Sequence, residues 1–157
     1  MPLVHTVEVD PITLLPTFRN AAATTGDTGA RTASFNSGTQ TNATARGAFI
    51  TVLLGVVSGT SPTLTAQLQW SPDSGTTWLA LGPASATATA TGNTIALLVY
   101  PTNLSSAPGA TPAALTTGAT VTLPINSPLP ATWRLTYVIT GTTPSFTINS
   151  VQVNYLA

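Results

Sequence analysis

Hydrophobic positions in this chain recur mostly at every second residue and nowhere on a sustained 3.6-residue period, so strands are expected and helix is limited to a turn at most. Leu3, His5, Val7 and Val9 share one parity until Asp10-Pro11 interrupts them, and residues 12–15 are cut off by Pro16. Residues 1–18 therefore read as an extended arm or edge strand. Residues 19–46 are rich in Ala, Thr, Gly, Asn and Ser, and read as loop with one short strand over 31–35. Residues 48–57 are apolar at both parities apart from Thr51 and Gly55, the pattern of a central strand covered on both faces. Leu64, Ala66, Leu68 and Trp70 then alternate with Thr63, Thr65, Gln67 and Gln69, which gives one packed face and one polar face. Residues 77–81 return after a tight turn, 85–91 alternate Ala with Thr, and 95–100 form a second apolar run. Residues 101–118 form a long Pro- and Ala-rich excursion. Val121, Leu123 and Ile125 alternate next, with Pro124 marking an edge or a strand end. After the stiff connector Pro128-Leu129-Pro130, Trp133, Leu135, Tyr137 and Ile139 point inward. In the last run Phe146 and Ile148 lie on one parity and Val151, Val153 and Tyr155 on the other, which predicts a β-bulge near Asn149-Ser150.

A near-repeat organises this pattern. Ser58-Gly59-Thr60-Ser61-Pro62-Thr63-Leu64-Thr65 returns as Thr140-Gly141-Thr142-Thr143-Pro144-Ser145-Phe146-Thr147, and 141 minus 59 and 144 minus 62 both give 82. Each copy follows an apolar run and precedes an alternating one. The expectation is two long β-hairpins that share one turn chemistry, with Gly59, Pro62, Gly141 and Pro144 at the turns. Roughly eight strands separated by turn signals fit an all-β, single-domain antiparallel β-sandwich over 19–157, jelly-roll-like or, alternatively, immunoglobulin-like, with the arm at 1–18 and long loops.

Composition narrows the functions open to such a body. Charged residues make up 5% of the 157, and the four arginines balance the four acids. Nucleic-acid binding needs cations clustered on one face, which Arg19, Arg31, Arg46 and Arg134 do not supply. The apolar run at 48–57 is too short to span a bilayer as a helix. The chain has no cysteine, so disulfides and thiolate metal sites are excluded. A net charge of zero removes the self-repulsion that keeps monomers apart, and points to an assembly.

Candidate chemistry is sparse. Ser71-Pro72-Asp73-Ser74-Gly75-Thr76-Thr77-Trp78 has the spacing of an Asp-box, whose carboxylate accepts turn N–H groups, whose glycine takes a positive φ and whose Trp packs beneath the hairpin. Asp73, Gly75 and Trp78 are thus expected to be structural, because one copy in this length cannot make the propeller that carries such boxes. Glu8 and Asp10, two apart, would share one face of a strand and read as solvated or partner-facing charges. His5, the only histidine, reads as packed or interfacial. Trp70, Trp78 and Trp133 could stack on sugar rings, but the inward parity of Trp70 and Trp133 favours core packing. No catalytic residue, cofactor or metal ligand is assigned, and an enzyme is not expected.

Taken in order, these pieces resemble small structural proteins of tailed bacteriophages. The likeness rests on Ser58 through Thr65, the Asp73-to-Trp78 hairpin, Pro128-Leu129-Pro130, the Arg134 strand and Gly141 through Thr147. The resemblance implies a virion structural protein, a capsid decoration (cement) protein on the capsid surface that is made in the host cytoplasm. It further implies a homotrimer that braces neighbouring major capsid proteins through β-edge and loop contacts, with neither nucleic acid nor membrane as partner. The alternative is a tail-associated carbohydrate- or receptor-binding β-module.

Overall fold

The computed structural model describes residues 27–101 and 120–156. The expected arm at 1–18, the first part of the 19–46 loop and most of the excursion after Pro101 lie outside the described residues. The elements are β1 (Gly29–Arg31), β2 (Phe35–Asn36), β3 (Gln40–Thr41), β4 (Gly47–Trp70), β5 (Leu79–Ala80), β6 (Thr94–Val99), β7 (Thr120–Ile125) and β8 (Thr132–Leu156). The described chain is all-β and contains no helix.

Two strands dominate. β4 runs for 24 residues and β8 for 25, far beyond the five or six usual for a strand. They pair antiparallel with each other from Gly47↔Leu156 to Trp70↔Trp133. This overturns the expected pair of hairpins. The repeated segments are not turns: they lie mid-strand and face each other, with Ser58 opposite Ser145, Thr60 opposite Thr142 and Thr63 opposite Thr140. The crossing divides the ribbon into a first half, residues 47–57 with 146–156, and a second half, residues 63–70 with 132–140.

Both edges of this ribbon are tracked by irregular chain. Along β8 run β1, opposite 146–148, then β2 and β3, opposite 136–137 and 132–133. The short strand expected over 31–35 is thus split, and part of the presumed loop is an interrupted edge strand. Along β4, β5 covers Gln69 and Trp70. Leu81 N–H then donates to Leu68 O at 2.8 Å, Ser85 N–H to Ala66 O at 2.7 Å, and Ala88 N–H to Leu64 O at 2.8 Å. β6 completes the pass opposite 48–53. The order is β1-β8-β4-β6-β7. The last pair, β6 with β7, is parallel, so the sheet is mixed rather than antiparallel throughout. Parallel neighbours need a connection of a dozen residues or more, and the Pro- and Ala-rich excursion between these strands supplies the length.

The core lies on one face of the ribbon. Ile50, Val52 and Leu54 of β4 and Val151 and Val153 of β8 are buried in the first half; Leu64, Ala66, Leu68, Trp133, Leu135 and Tyr137 are buried in the second, and all belong to one cluster. The expectation that 48–57 is covered on both faces fails. Leu53 is exposed and Phe49 and Thr51 are half-buried, so the apolar odd positions form an outer face. On the second half the outer face is mostly polar: Thr65, Gln67 and Gln69 stand beside Thr136 and Arg134, with Val138 exposed among them.

The parity slip in the last run corresponds to a bulge. Leu53 pairs with Ser150 but Leu54 pairs with Ile148, which leaves Asn149 as the extra residue. Its side chain fills the space over Gly55, where an added Cβ would stand 2.9 Å from Asn149 Cγ. A second irregularity before Val57 restores the register. Both halves therefore bury the same face.

Candidate functional site: the ribbon crossing and the Asp73 turn

The residues expected at turns separate into two sites. Gly59, Pro62, Gly141 and Pro144 meet at the crossing; Asp73, Gly75 and Trp78 sit in the connection from β4 to β5. The strands of the second half lie between them.

The crossing is close to two-fold symmetric. Gly59 and Gly141 have φ of 116° and 124°, and Ser61 and Thr143 have φ of 49° and 48°. A Cβ on Gly59 would stand 2.7 Å from Thr143 O and 2.9 Å from Pro144 Cα. One on Gly141 would stand 2.9 Å from Ser61 O and 3.0 Å from Pro62 Cα. Each glycine is thus required by the backbone of the other copy as well as by its own φ. The register accommodates one extra residue in β8 just before one extra in β4, two reciprocal bulges that turn the ribbon. Ser58, Gly59, Thr60, Ser61 and residues 140–143 are exposed, and the Thr63 and Thr140 hydroxyls hydrogen bond at 2.5 Å across the strands. A β-branched residue in the left-handed region, as at Thr143, is strained.

The Asp73 turn, by contrast, is self-contained. Asp73 Oδ1 accepts from the Ser71 hydroxyl at 2.8 Å and from the N–H groups of Thr76 and Thr77 at 3.2 and 2.6 Å. Gly75 N–H donates to Ser71 Oγ at 2.7 Å, and Trp78 Nε1 donates to Gly75 O at 3.0 Å. Gly75, at φ 108°, and Ser74, at φ 57°, make the reversal. Hydrogen bonds, first from the Thr77 side chain and then from the Thr77 N–H and the Ser71 hydroxyl, hold the Asp73 carboxyl down at about 2, against 3.8 ordinarily.

Two further groups were not singled out as sites by sequence reasoning. Arg134 lies over the Trp78 ring, 4.1 Å from its centroid, and its Nε donates to Gln69 Oε1 at 2.8 Å. The signal for this contact was present in the alternation, which sets Gln69 and Arg134 on polar faces, but only the register makes them opposite. The second group surrounds Asp27. Tyr137 donates its hydroxyl to Asp27 Oδ2 at 3.4 Å, Phe35 stacks on Tyr137 with centroids 4.5 Å apart, and Arg31 lies 4.7 Å over Phe35. Burial, reinforced by the Asp27 charge, pushes the Tyr137 hydroxyl well above its ordinary value, so it remains a donor. Asp27 lies on a stretch that reads as loop, so its complete burial had no local signal.

The remaining candidates are dispersed. His5, Glu8 and Asp10 lie outside the described residues. Trp133 is buried, Trp70 is half-buried on the same inward face and Trp78 is capped by Arg134, so the three do not form one platform. Among the described residues, no group of three or more His, Cys, Asp or Glu side chains could hold a metal ion. No family model, no curated protein and no solved structure matches this chain.

Proposed function

We propose that this is a non-enzymatic virion structural protein, a capsid decoration protein that braces neighbouring major capsid proteins as a homotrimer through β-edge and loop contacts. We further infer that its mixed sheet curls and closes as a β-sandwich. Three observations support that closure: both halves of the ribbon bury the same face, their side chains share one core, and Asp27 beside β1 meets Tyr137 of the second half.

The observation that carries the functional reading is the use made of polar side chains. Ser37 Oγ accepts the Leu135 N–H at 2.8 Å and Ser85 Oγ accepts the Ala66 N–H at 2.9 Å. Asn42 donates to the carbonyls of Ala45 and Leu129 at 2.8 and 3.0 Å, and Asp73 Oδ1 accepts from Ser71, Thr76 and Thr77 within its own turn. These groups brace backbone, which suits a rigid body repeated over a lattice, where modest contacts gain strength from number. The test is protein abundance in purified particles by mass spectrometry. Abundance near that of the major capsid protein is expected, and a few copies per particle would refute decoration.

One observation favours the second reading, a tail-associated carbohydrate- or receptor-binding module. The half-buried Trp78, with Arg134 and Gln69, borders a Thr- and Gln-lined sheet face, and hydroxyl, amide and aromatic groups suit saccharides. Glycan-array retention abolished by Trp78→Ala would favour that reading over decoration.

A further inference from the structure

Two glutamines define the polar chemistry on the outer face of the second half. Gln67 Nε2 donates to Gly82 O at 3.0 Å, and Gln69 Oε1 accepts from Arg134 Nε at 2.8 Å. Those partners settle which end of each amide is which. Gln67 therefore keeps its carbonyl oxygen as an acceptor, and Gln69 keeps its NH2 group as a donor. Thr136 stands opposite Gln67, and Thr65 lies two residues before Gln67 on β4, so hydroxyls flank the amides.

Arg134 supplies the charge. Its Cζ lies 4.1 Å from the Trp78 ring centroid. Among the described residues only its Nε is hydrogen bonded, so both Nη groups remain for a fork-like pairing with a carboxylate. Partial burial lowers the guanidinium from its ordinary value, and no described carboxylate acts on it to offset that. The two described acids are engaged elsewhere: Asp27 is buried with Tyr137 on the core face, and Asp73 accepts within its own turn. Arg134 is thus a single cation, backed by an aromatic ring, among hydroxyl and amide groups.

We infer that this face binds an acidic saccharide, a uronic- or sialic-acid glycan. Its carboxylate is received by the Nη groups of Arg134, and its ring hydroxyls by Gln67, Gln69, Thr65 and Thr136. The balance of groups favours a sugar as the source of the carboxylate. One carboxylate among several hydroxyls matches one cation among several amides and hydroxyls. An acidic protein segment would meet a single cation and, Val138 apart, little exposed apolar surface on this face. The inference rests on the saccharide-binding reading and names its sugar class; it does not depend on a place at capsid or tail.

The test presents the full chain to an array of uronic- and sialic-acid glycans, each beside its methyl ester, with a poly-glutamate peptide as a further probe. The acids should be retained about tenfold more tightly than their esters, the scale of one hydrogen-bonded charge pair. Arg134→Gln should erase that difference, and Arg134→Lys, which keeps the charge without the fork, should restore only part of it. Esters held as tightly as acids, with both lost in Trp78→Ala, would overturn the carboxylate assignment and leave saccharide binding standing. Retention of neither would overturn both. Poly-glutamate held as tightly as the acids would assign the face to acidic protein and overturn the inference. Should Arg134→Gln fail to fold, the Arg134 Nε–H resonance of the unaltered protein gives a second measurement. It should shift on titration with a retained acid and not with its ester; equal shifts would refute the contact.

Discussion

The crossing and the Asp73 turn share a small alphabet of Ser, Thr, Gly and Pro, yet they hold the chain in opposite ways. The Asp73 turn closes on itself: its hydrogen bonds span two to four residues. The crossing closes on a distant segment, so each glycine is demanded by the backbone of the other copy, whose matching glycine lies 82 positions away, since 141 minus 59 gives 82. The lesson is that turn-forming residues signal a departure from regular backbone and leave its scale open. The same letters serve a local reversal in one place and a long-range junction in the other.

The comparison makes graded predictions. The largest effect belongs to the glycines of the crossing. Gly59→Ala should destabilise the whole protein by about 3 kcal/mol, from overlap with Thr143 O and Pro144 Cα together with its φ of 116°. Gly141→Ala, with slightly longer approaches, should cost nearly as much. Urea denaturation measures both, and a large difference between them would break the two-fold equivalence. Next come Ser61→Gly and Thr143→Gly, each of which relieves a side chain held in the left-handed region and should stabilise by about 1 kcal/mol. A loss of stability there would mean that the side chain itself contributes at the crossing.

Asp73→Ala should act locally. Amide exchange should quicken over residues 73–77 while the urea midpoint moves much less than in the glycine variants. A global collapse would show that the turn is not self-contained. The smallest effect is its acid profile. Because the folded carboxyl titrates at about 2 and the unfolded one at 3.8, its contribution is complete above about pH 4 and is lost as pH falls toward 2. Asp73→Asn should flatten that part of the pH dependence of unfolding, and an unchanged profile would assign the acid sensitivity to other groups.

Much of the fold was legible because β periodicity reports which way a side chain points. The inward set Leu64, Ala66, Leu68, Trp133, Leu135 and Tyr137 follows from alternation alone, as does the bulge at Asn149. Partnership was not legible. Alternation is silent about which strand lies alongside, and proximity in sequence favoured two hairpins over one crossed ribbon. The outer apolar residues Phe49 and Leu53 misled for a related reason: an apolar side chain on an outer face looks like a second buried face. The Asp73 turn was readable because its determinants are adjacent. The Arg134 contact with Trp78 was not, because it depends on two strands arriving in register.

The length of β4 and β8 has a consequence for how the molecule is made. Gly47 finds its partner only in Leu156, and the paired residues farther along are also remote in the chain. The central ribbon therefore cannot zip up while the polypeptide is still emerging from the ribosome. Topologies dominated by such distant pairings fold slowly, in milliseconds to seconds. Until the last strand is synthesised, the apolar side of β4 lacks the part of its core that β8 contributes, a window in which encounters with other nascent chains compete with self-assembly.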